Sequence, residues 1–249
     1  MTIIDTFDNK TEAIINPADI APPIDDFPLI AISTFSCHDS IVLQEKYKPV
    51  EITTMEGSGL PIYKVNYEKK NIAYYCSRVG GPASAIELEK IISWGCKKFV
   101  IMGSCGVLDK EIAAKSLIIP TAAYRDEGTS YHYLPASTYV QIPTAMKLAK
   151  ILTELKLPHV CGKTWTTDAP LRETRGNMEK RKKDGCITVE MECASLMAVA
   201  QFRGVEIYQF LYAADSLDGT AWDARILGNL PQDSREIFLR IAFEIAVKI

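Results

Sequence analysis

The sequence predicts an α/β fold of three layers, in which a central mixed β-sheet is flanked by helices. Segments rich in β-branched and aromatic residues alternate along the chain with segments of helical periodicity, and this alternation predicts a sheet covered on both faces. The first part of the chain is denser in strands than a strict βαβ repeat, so we expect antiparallel as well as parallel neighbours.

The individual elements follow from composition and spacing. Strands are predicted at 29–34, 62–67, 72–79, 99–102, 117–122, 161–166, 186–189 and 205–214, because these segments are rich in β-branched and aromatic residues. Helices are predicted at 83–94, 143–155, 173–183, 192–202 and 233–247, where apolar residues recur three and four positions apart, as at Ile91 and Trp94. Gly95 is placed to close the first helix as a C-terminal cap.

The chain has 249 residues, of which 47% are hydrophobic and 24% are charged, and this is enough for one large domain. Residues 1–27 are polar and contain Pro17, Pro22 and Pro23. They predict an extended arm that lies over the surface or a neighbouring subunit. A single catalytic domain is expected over residues 28–249.

Charge and cysteine usage exclude several classes of protein. A net charge of −3 argues against nucleic-acid binding, which usually requires a basic face. No apolar segment reaches the ~18–20 residues that cross a bilayer, and the acidic N-terminus does not fit a secretory signal. Seven cysteines without a Cys-x-x-Cys pair favour a reducing cytoplasm, and three scattered histidines predict no metal site.

Acidic side chains follow two predicted strands. Glu190, Met191 and Glu192 come at the end of the 186–189 strand, and Asp215 ends the 205–214 strand. Ligands of open α/β sheets bind at the carboxyl ends of strands. Carboxylates accept hydrogen bonds from sugar hydroxyls, and a buried Asp with a raised pKa can donate a proton. That Glu190 caps a helix and Asp215 only starts a turn is equally consistent with these residues.

Glycine-rich turns and a polar loop are further candidates. The turns 80–84 and 103–106 each follow a strand, where exposed backbone amides can hold an anion, or where the chain simply turns sharply. The loop 125–133 and the segment 172–175 carry arginines and hydrogen-bonding side chains. These arginines could grip phosphate or form exposed ion pairs.

In their order along the chain, these motifs resemble the nucleoside phosphorylase-I family, which contains the hexameric purine nucleoside phosphorylases and the uridine phosphorylases. The resemblance covers about residues 29–249. It is carried by Gly81-Pro82-Ala83-Ser84, Gly95-Cys96-Lys97-Lys98, Gly103-Ser104-Cys105-Gly106, Thr167-Asp168, Val189-Glu190-Met191-Glu192 and the strand ending at Asp215. Members add inorganic phosphate to the anomeric carbon of a nucleoside and release free base and ribose 1-phosphate. Phosphate is then the co-substrate, and no cofactor is implied.

The resemblance implies a role for each matching residue. Asp215 would be the general acid, which favours a purine nucleoside over uridine. The ribose would be bound by Glu190, Met191 and Glu192. Phosphate would be bound by Gly103, Ser104, Arg78 and Arg125, and the base by Cys105, Gly106, Tyr131, Asp168, Arg172 and Trp222.

The chain also departs from the family pattern. The early Gly-Asp-Pro-x-Arg loop is replaced by residues 33–38, and Ile101 stands where an arginine commonly precedes Ser104. Two guanidinium groups that usually hold phosphate are therefore absent, and a charged hydrogen bond is worth about 1.5–3 kcal/mol. Pro170-Leu171 also replaces an aromatic pair that stacks on the base.

Several alternatives therefore stay open. They are a nucleosidase that uses water, a uridine phosphorylase, and a non-catalytic nucleoside-binding protein. The resemblance further implies a homo-oligomer, either a dimer or a trimer of dimers. His38 is one candidate for reaching a neighbouring site.

Overall fold

Ten strands form one mixed sheet in the part of the chain that the structure describes. The computed structural model describes residues 2–112 and 117–249. The strands are β1 (Ile30–Thr34), β2 (Val50–Thr54), β3 (Pro61–Tyr67), β4 (Lys70–Cys76), β5 (Lys98–Val107), β6 (Leu117–Asp126), β7 (Tyr139–Gln141), β8 (His159–Thr167), β9 (Cys186–Glu190) and β10 (Glu206–Ser216). They are ordered β10-β6-β8-β9-β5-β1-β4-β3-β2, with β7 paired to β6. β1 runs parallel to β4 and β5, whereas β3 is antiparallel to β2 and β4.

Helices flank this sheet. Among the described residues they are α1 (Pro17–Ile20), α2 (Cys37–Tyr47), α3 (Gly81–Trp94), α4 (Ser130–Tyr133), α5 (Ala145–Glu154), α6 (Arg175–Lys183), α7 (Cys193–Arg203) and α8 (Gln232–Ala246), with short 3-10 helices at Ile3–Asp5 and Pro170–Arg172. α3 packs against α7, and α2 packs against α8. The predicted α/β class with a flanked central sheet is confirmed. No helix in the described ranges is both long and apolar enough to cross a membrane.

Each predicted strand and helix has a counterpart in the structure, with shifted ends. β5 and β6 run four residues or more beyond their predicted ends, to Val107 and Asp126. The sequence interpretation missed α1, which lies within the predicted extended arm, and also α2, α4, β2 and β7. α2 buries the apolar side chains of Val42 and Leu43, but it also buries Asp39 and exposes Ile41, and the side chains of β2 are exposed or half-buried. Such elements carry little apolar periodicity, because few of their side chains enter the core.

The second half of the sheet closes into a ring of five strands. β10 is parallel to β5 and antiparallel to β6, β6 is parallel to β8, and β8 is parallel to β9. β9 then returns to the end of β5 through an antiparallel pair. This closure brings the ends of β5, β9 and β10 together, and the polar residues that follow these strands therefore meet.

The N-terminal segment divides into two parts. Residues 2–20 are mostly exposed, whereas Ala21 and Phe27 are buried. The Phe27 ring lies 5.7 Å from that of Trp94, and the Ala21 carbonyl accepts a hydrogen bond of 2.7 Å from Ser93 Oγ. The segment is therefore anchored to the end of α3.

Candidate active site

A cavity of about 620 Å³ lies at the ends of β5, β9 and β10. Its volume is in the range of small-molecule sites. Its lining consists of Phe35, Val79, Ser104, Cys105, Gly106, Pro170, Leu171, Glu173, Arg175, Met178, Val189, Glu190, Met191, Glu192, Asp215, Leu217, Trp222 and Leu227. The acidic residues that the sequence singled out, at 190, 192 and 215, thus face one space.

Gly106 is the point at which the three strands meet. It is paired with Val189 of β9 on one side and with Asp215 of β10 on the other. A Cβ at this position would lie 2.6 Å from Leu217 Cδ1 and 3.0 Å from Val189 Cγ1. Only a residue without a side chain allows this close approach. Glycine here therefore lets Asp215 and the end of β9 share one cavity.

Glu190 is held tightly by the protein itself. Its Oε1 accepts hydrogen bonds from the hydroxyls of Thr166 at 2.6 Å and Thr164 at 3.4 Å. Its Oε2 accepts from the backbone amides of Glu192 at 2.8 Å and Cys193 at 2.6 Å, at the start of α7. Burial raises the pKa of this carboxyl. Glu190 thus does what the helix-capping alternative expected, and it also lines the cavity.

Glu192 keeps more of its bonding capacity for a ligand. Its Oε1 accepts a hydrogen bond of 2.7 Å from the amide of Gly80, whose φ of +99° suits glycine. Burial, and then the charge of Glu190, raises the pKa of Glu192 to about 8. Met191 lies between the two carboxylates on the cavity wall.

Asp215 lies at an irregularity of β10, where its register with β5 shifts after Ala213. Its Oδ2 accepts a hydrogen bond of 2.7 Å from the indole Nε1 of Trp222. The residue is 9% exposed, and burial raises its pKa, while the bond from Trp222 acts in the opposite direction. A carboxyl group whose pKa is raised can donate a proton to a bound ligand.

Glu173 and Arg175 line the cavity, although sequence reasoning had selected Arg172. The 3-10 helix Pro170–Arg172 leaves Arg172 exposed and outside the lining. Burial, and then the charge of Asp215, raises the pKa of Glu173 to about 7. The sequence signal was present as the run 172–175 after a strand, but the turn geometry decides which side chains point inward.

Ser104 lines the cavity, and Gly103 lies beside it under Phe35. A Cβ on Gly103 would lie 3.2 Å from the Phe35 ring, so glycine permits this ring to cover the strand. Ser104 is the exposed member of an otherwise buried run in β5. Its hydroxyl interacts with the Tyr212 side chain and is exposed to a ligand in the cavity.

Arg78 is outside the cavity lining and is engaged elsewhere. Its Nε donates to Glu87 Oε1 at 2.8 Å, and its backbone amide donates to Glu87 Oε2 at 2.9 Å. Glu87 is buried, so removing Arg78 from this pair would leave an uncompensated charge. This geometry does not favour the predicted phosphate contact.

Arg125 is also outside the cavity lining, and its guanidinium forms hydrogen bonds within its own loop. Nε donates to Ser130 Oγ at 2.7 Å, Nη1 to the Pro135 carbonyl at 2.7 Å and Nη2 to the Leu134 carbonyl at 3.3 Å. The side chain stabilises the turn that contains α4. The predicted phosphate contact of Arg125 is therefore not supported by its position.

The predicted base contacts separate into two groups. Cys105, Gly106 and Trp222 line the cavity, whereas Tyr131 and Asp168 do not. Tyr131 stacks under the Arg125 guanidinium at 3.9 Å, and Asp168 accepts a hydrogen bond of 3.0 Å from the Gly128 amide. Both therefore organise the 125–133 loop. Of the two aromatic residues predicted to contact the base, Tyr131 and Trp222, only Trp222 lines the cavity.

Fold and cavity together define a class: a mixed α/β protein with an acidic pocket for a small ligand at the ends of its strands. The model of the phosphorylase superfamily matches residues 38–246, and this chain belongs to that superfamily.

Several curated proteins are similar to this chain. The DeoD-type purine nucleoside phosphorylase of Caldanaerobacter subterraneus subsp. tengcongensis is 27% identical over 195 residues, which cover 75% of this chain and 83% of the relative. The DeoD-type purine nucleoside phosphorylase of Alkaliphilus metalliredigens is 27% identical over 172 residues, which cover 65% of this chain and 71% of the relative. An uncharacterised protein of Acanthamoeba polyphaga mimivirus is 30% identical over 139 residues, 56% of this chain, and the match spans about half of that relative (54%).

Proposed function

We propose that this chain is a nucleoside phosphorylase that cleaves the N-glycosidic bond of purine nucleosides to free base and ribose 1-phosphate. The observation that carries the proposal is the common cavity of Met191, Glu192 and Asp215. The names of the DeoD-type relatives support the purine preference. A purine nucleoside also fits the size of the cavity.

In the proposed reaction a phosphate oxygen attacks the anomeric carbon while the bond from that carbon to the base nitrogen breaks. The electron pair of the breaking bond goes to the base, and Asp215 transfers its proton to a ring nitrogen of the base. The raised pKa of Asp215 supports this role, because the carboxyl must hold its proton until the base departs. The Trp222 indole, which donates to Asp215 Oδ2, orients the carboxyl.

The ribose would lie against Met191 with its hydroxyls on Glu192. Gly80 occupies one carboxylate oxygen of Glu192, which leaves the other for the sugar. Glu190 would frame the site through the start of α7, because both of its oxygens already have protein donors. Binding energy on the sugar assists catalysis when it positions the anomeric carbon for attack.

Incubation of the purified protein with inosine, with and without inorganic phosphate, tests the proposal. We expect hypoxanthine and ribose 1-phosphate to form in equal amounts, and only when phosphate is present. Release of free ribose at the same rate without phosphate would overturn phosphorolysis.

A nucleosidase is the second candidate, and one observation favours it. Two of the arginines that the sequence offered for phosphate, Arg78 and Arg125, are committed to protein partners. Water would then replace phosphate as the nucleophile. The same incubation separates the two reactions by their sugar product.

Substrate, assembly and location complete the proposal. We expect inosine to be cleaved faster than uridine, and a strong preference for uridine would remove Asp215 from its role. We also propose a homo-oligomer in a reducing cytoplasm. The free thiols of all seven cysteines are compatible with that location.

A further inference from the structure

A second cavity of about 320 Å³ adjoins the first. The two share Phe35, Ser104 and Leu227 in their linings. The second cavity lies between the end of β1, the start of α2 and the helix α8. Its lining is Phe35, Ser36, His38, Asp39, Met102, Gly103, Ser104, Tyr212, Ala214, Ile226, Leu227, Gly228, Leu230 and Arg235.

Arg235 brings a cation into this cavity from α8. The residue is 9% exposed. Its Nε donates to the Leu230 carbonyl at 3.2 Å, and its Nη1 donates to Ser36 Oγ at 2.9 Å and to Asp39 Oδ1 at 2.8 Å. Within the described residues, Nη2 donates no hydrogen bond, so this edge of the guanidinium is available to a ligand.

The start of α2 adds further donors at the same place. Ser36 is its N-cap residue, but the Ser36 side chain caps no amide and instead accepts from Arg235. The amides of Cys37 and His38 have no backbone acceptor among the described residues. Unpaired amides of a first helical turn, with the positive end of the helix dipole, favour an anion.

We propose that Arg235 is the cation that holds the oxyanion co-substrate, inorganic phosphate, in this second cavity, beside Ser104, which the family resemblance already assigns to phosphate. This inference rests on the proposed phosphorolysis. Arg235 would supply, from the last helix, a guanidinium group that neither residues 33–38 nor Ile101 provides. Ser104 would contact the anion where the two cavities join, next to the sugar.

Asp39 is a carboxylate in the lining of the same cavity, and its negative charge would repel a bound anion. Its carboxylate pairs with Arg235 and holds the guanidinium in place. Burial raises the pKa of Asp39 in spite of this pair. If Asp39 takes up a proton as phosphate binds, it no longer neutralises Arg235, and the positive charge of Arg235 can then interact with the anion.

Calorimetric titration with inorganic phosphate tests the site without any turnover. We expect Arg235→Gln to weaken phosphate binding at least about tenfold, as expected for the loss of a charged hydrogen bond. Asp39→Asn should tighten it, because a negative charge leaves the cavity. The matched control is Arg203→Gln, which breaks another helix-borne ion pair, with Glu89 at 2.7 Å, and should leave the phosphate Kd unchanged.

The outcomes distinguish this inference from the proposed function. Equal phosphate Kd values for wild type, Arg235→Gln and Arg203→Gln would overturn the site, as would a wild type that binds no phosphate at millimolar concentration. If Arg235→Gln does not fold, the phosphate Kd values of Arg235→Lys and Asp39→Asn test the site instead. A tenfold weaker phosphate affinity in Asp39→Asn would then count against the site. Phosphate binding that depends on Arg235, in a protein that cleaves no nucleoside, would overturn the proposed function and leave the site standing.

Discussion

The four carboxylates of the main cavity differ in what their oxygens already bind. Glu190 has donors on both oxygens, whereas Glu192 has an amide on one and Asp215 an indole on one. Burial, and then the charge of Asp215, raises the pKa of Glu173 to about 7. A carboxylate that the protein has saturated positions the backbone, and one with a free oxygen can contact a ligand. We therefore propose Asp215 as the acid and Glu192 as the residue that binds the sugar.

Asp215→Asn tests the first assignment. The amide keeps the shape of the carboxyl and can still accept the Trp222 bond, but it cannot act as the acid. We expect kcat for inosine to fall about 10²–10⁴-fold with little change in KM. Asp218→Asn, the same change three residues along in an exposed ion pair with Lys182, should leave kcat unaltered. A change in affinity alone in Asp215→Asn would indicate a nucleoside-binding protein without catalysis.

The raised pKa of Glu192 predicts a pH dependence of stability. The unfolded chain loses this proton near 4.5, whereas the folded protein retains it up to about 8. Between these values the unfolded state binds fewer protons, so the free energy of unfolding falls as pH rises. Glu192→Gln removes this titration. Its Tm should match that of wild type near pH 4 and exceed it by several degrees at pH 8.

Thermal unfolding from pH 4 to 8 checks this expectation. Glu154→Gln alters an exposed carboxylate and should follow the wild-type curve. Parallel curves for Glu192→Gln and wild type would show that Glu192 ionises in the folded protein as it does in water.

At the scale of elements, the site depends on how β5, β9 and β10 converge at Gly106. An alanine there would need to displace Leu217 and Val189. Overpacking of this kind costs about 1–3 kcal/mol, and each kcal/mol lowers Tm by about 2–4 °C in a protein of this size. We expect Gly106→Ala to lower both Tm and turnover of inosine, because Asp215 would move with its strand.

Gly176→Ala is the matched control for Gly106. It lies in α6, and a Cβ there would meet no atom within 4 Å. Alanine favours helix by up to about 1 kcal/mol over glycine, so Tm should be unchanged or slightly higher. If both variants had the wild-type Tm and activity, convergence at Gly106 would not control the site.

Strand ends were predictable from the sequence, but strand pairings were not. Glu192 and Asp215 could be assigned to a site because apolar runs end just before them and because ligands bind at such ends. That Gly106 pairs with both β9 and β10 depends on ring closure, which no local pattern encodes. Arg125 looked available because a sequence shows the donors of a loop but not the carbonyls that occupy them. Arg235 was not selected as a site residue, because the helix that contains it was predicted from the spacing of its apolar residues alone.

At the scale of the whole molecule, the N-terminal segment contributes unevenly to stability. Residues 2–16 are largely exposed, and Thr6 Oγ1 contacts the Tyr131 carbonyl at 3.3 Å. Phe27, in contrast, is 6% exposed and packs against Trp94. The predicted boundary at residue 28 thus falls just after a residue that belongs to the core.

Truncation separates the two parts of this segment. Removal of residues 2–16 should shift Tm by no more than about 2–4 °C, the equivalent of 1 kcal/mol. Phe27→Ala should lower it much further, because removal of a buried phenylalanine side chain costs about 3–5 kcal/mol. Thermal unfolding at one protein concentration compares the variants, and sizing of the truncated protein reports whether residues 2–16 hold subunits together. A larger loss of Tm on truncation, together with dissociation, would place the stabilising contacts of residues 2–16 on a neighbouring subunit instead of on their own.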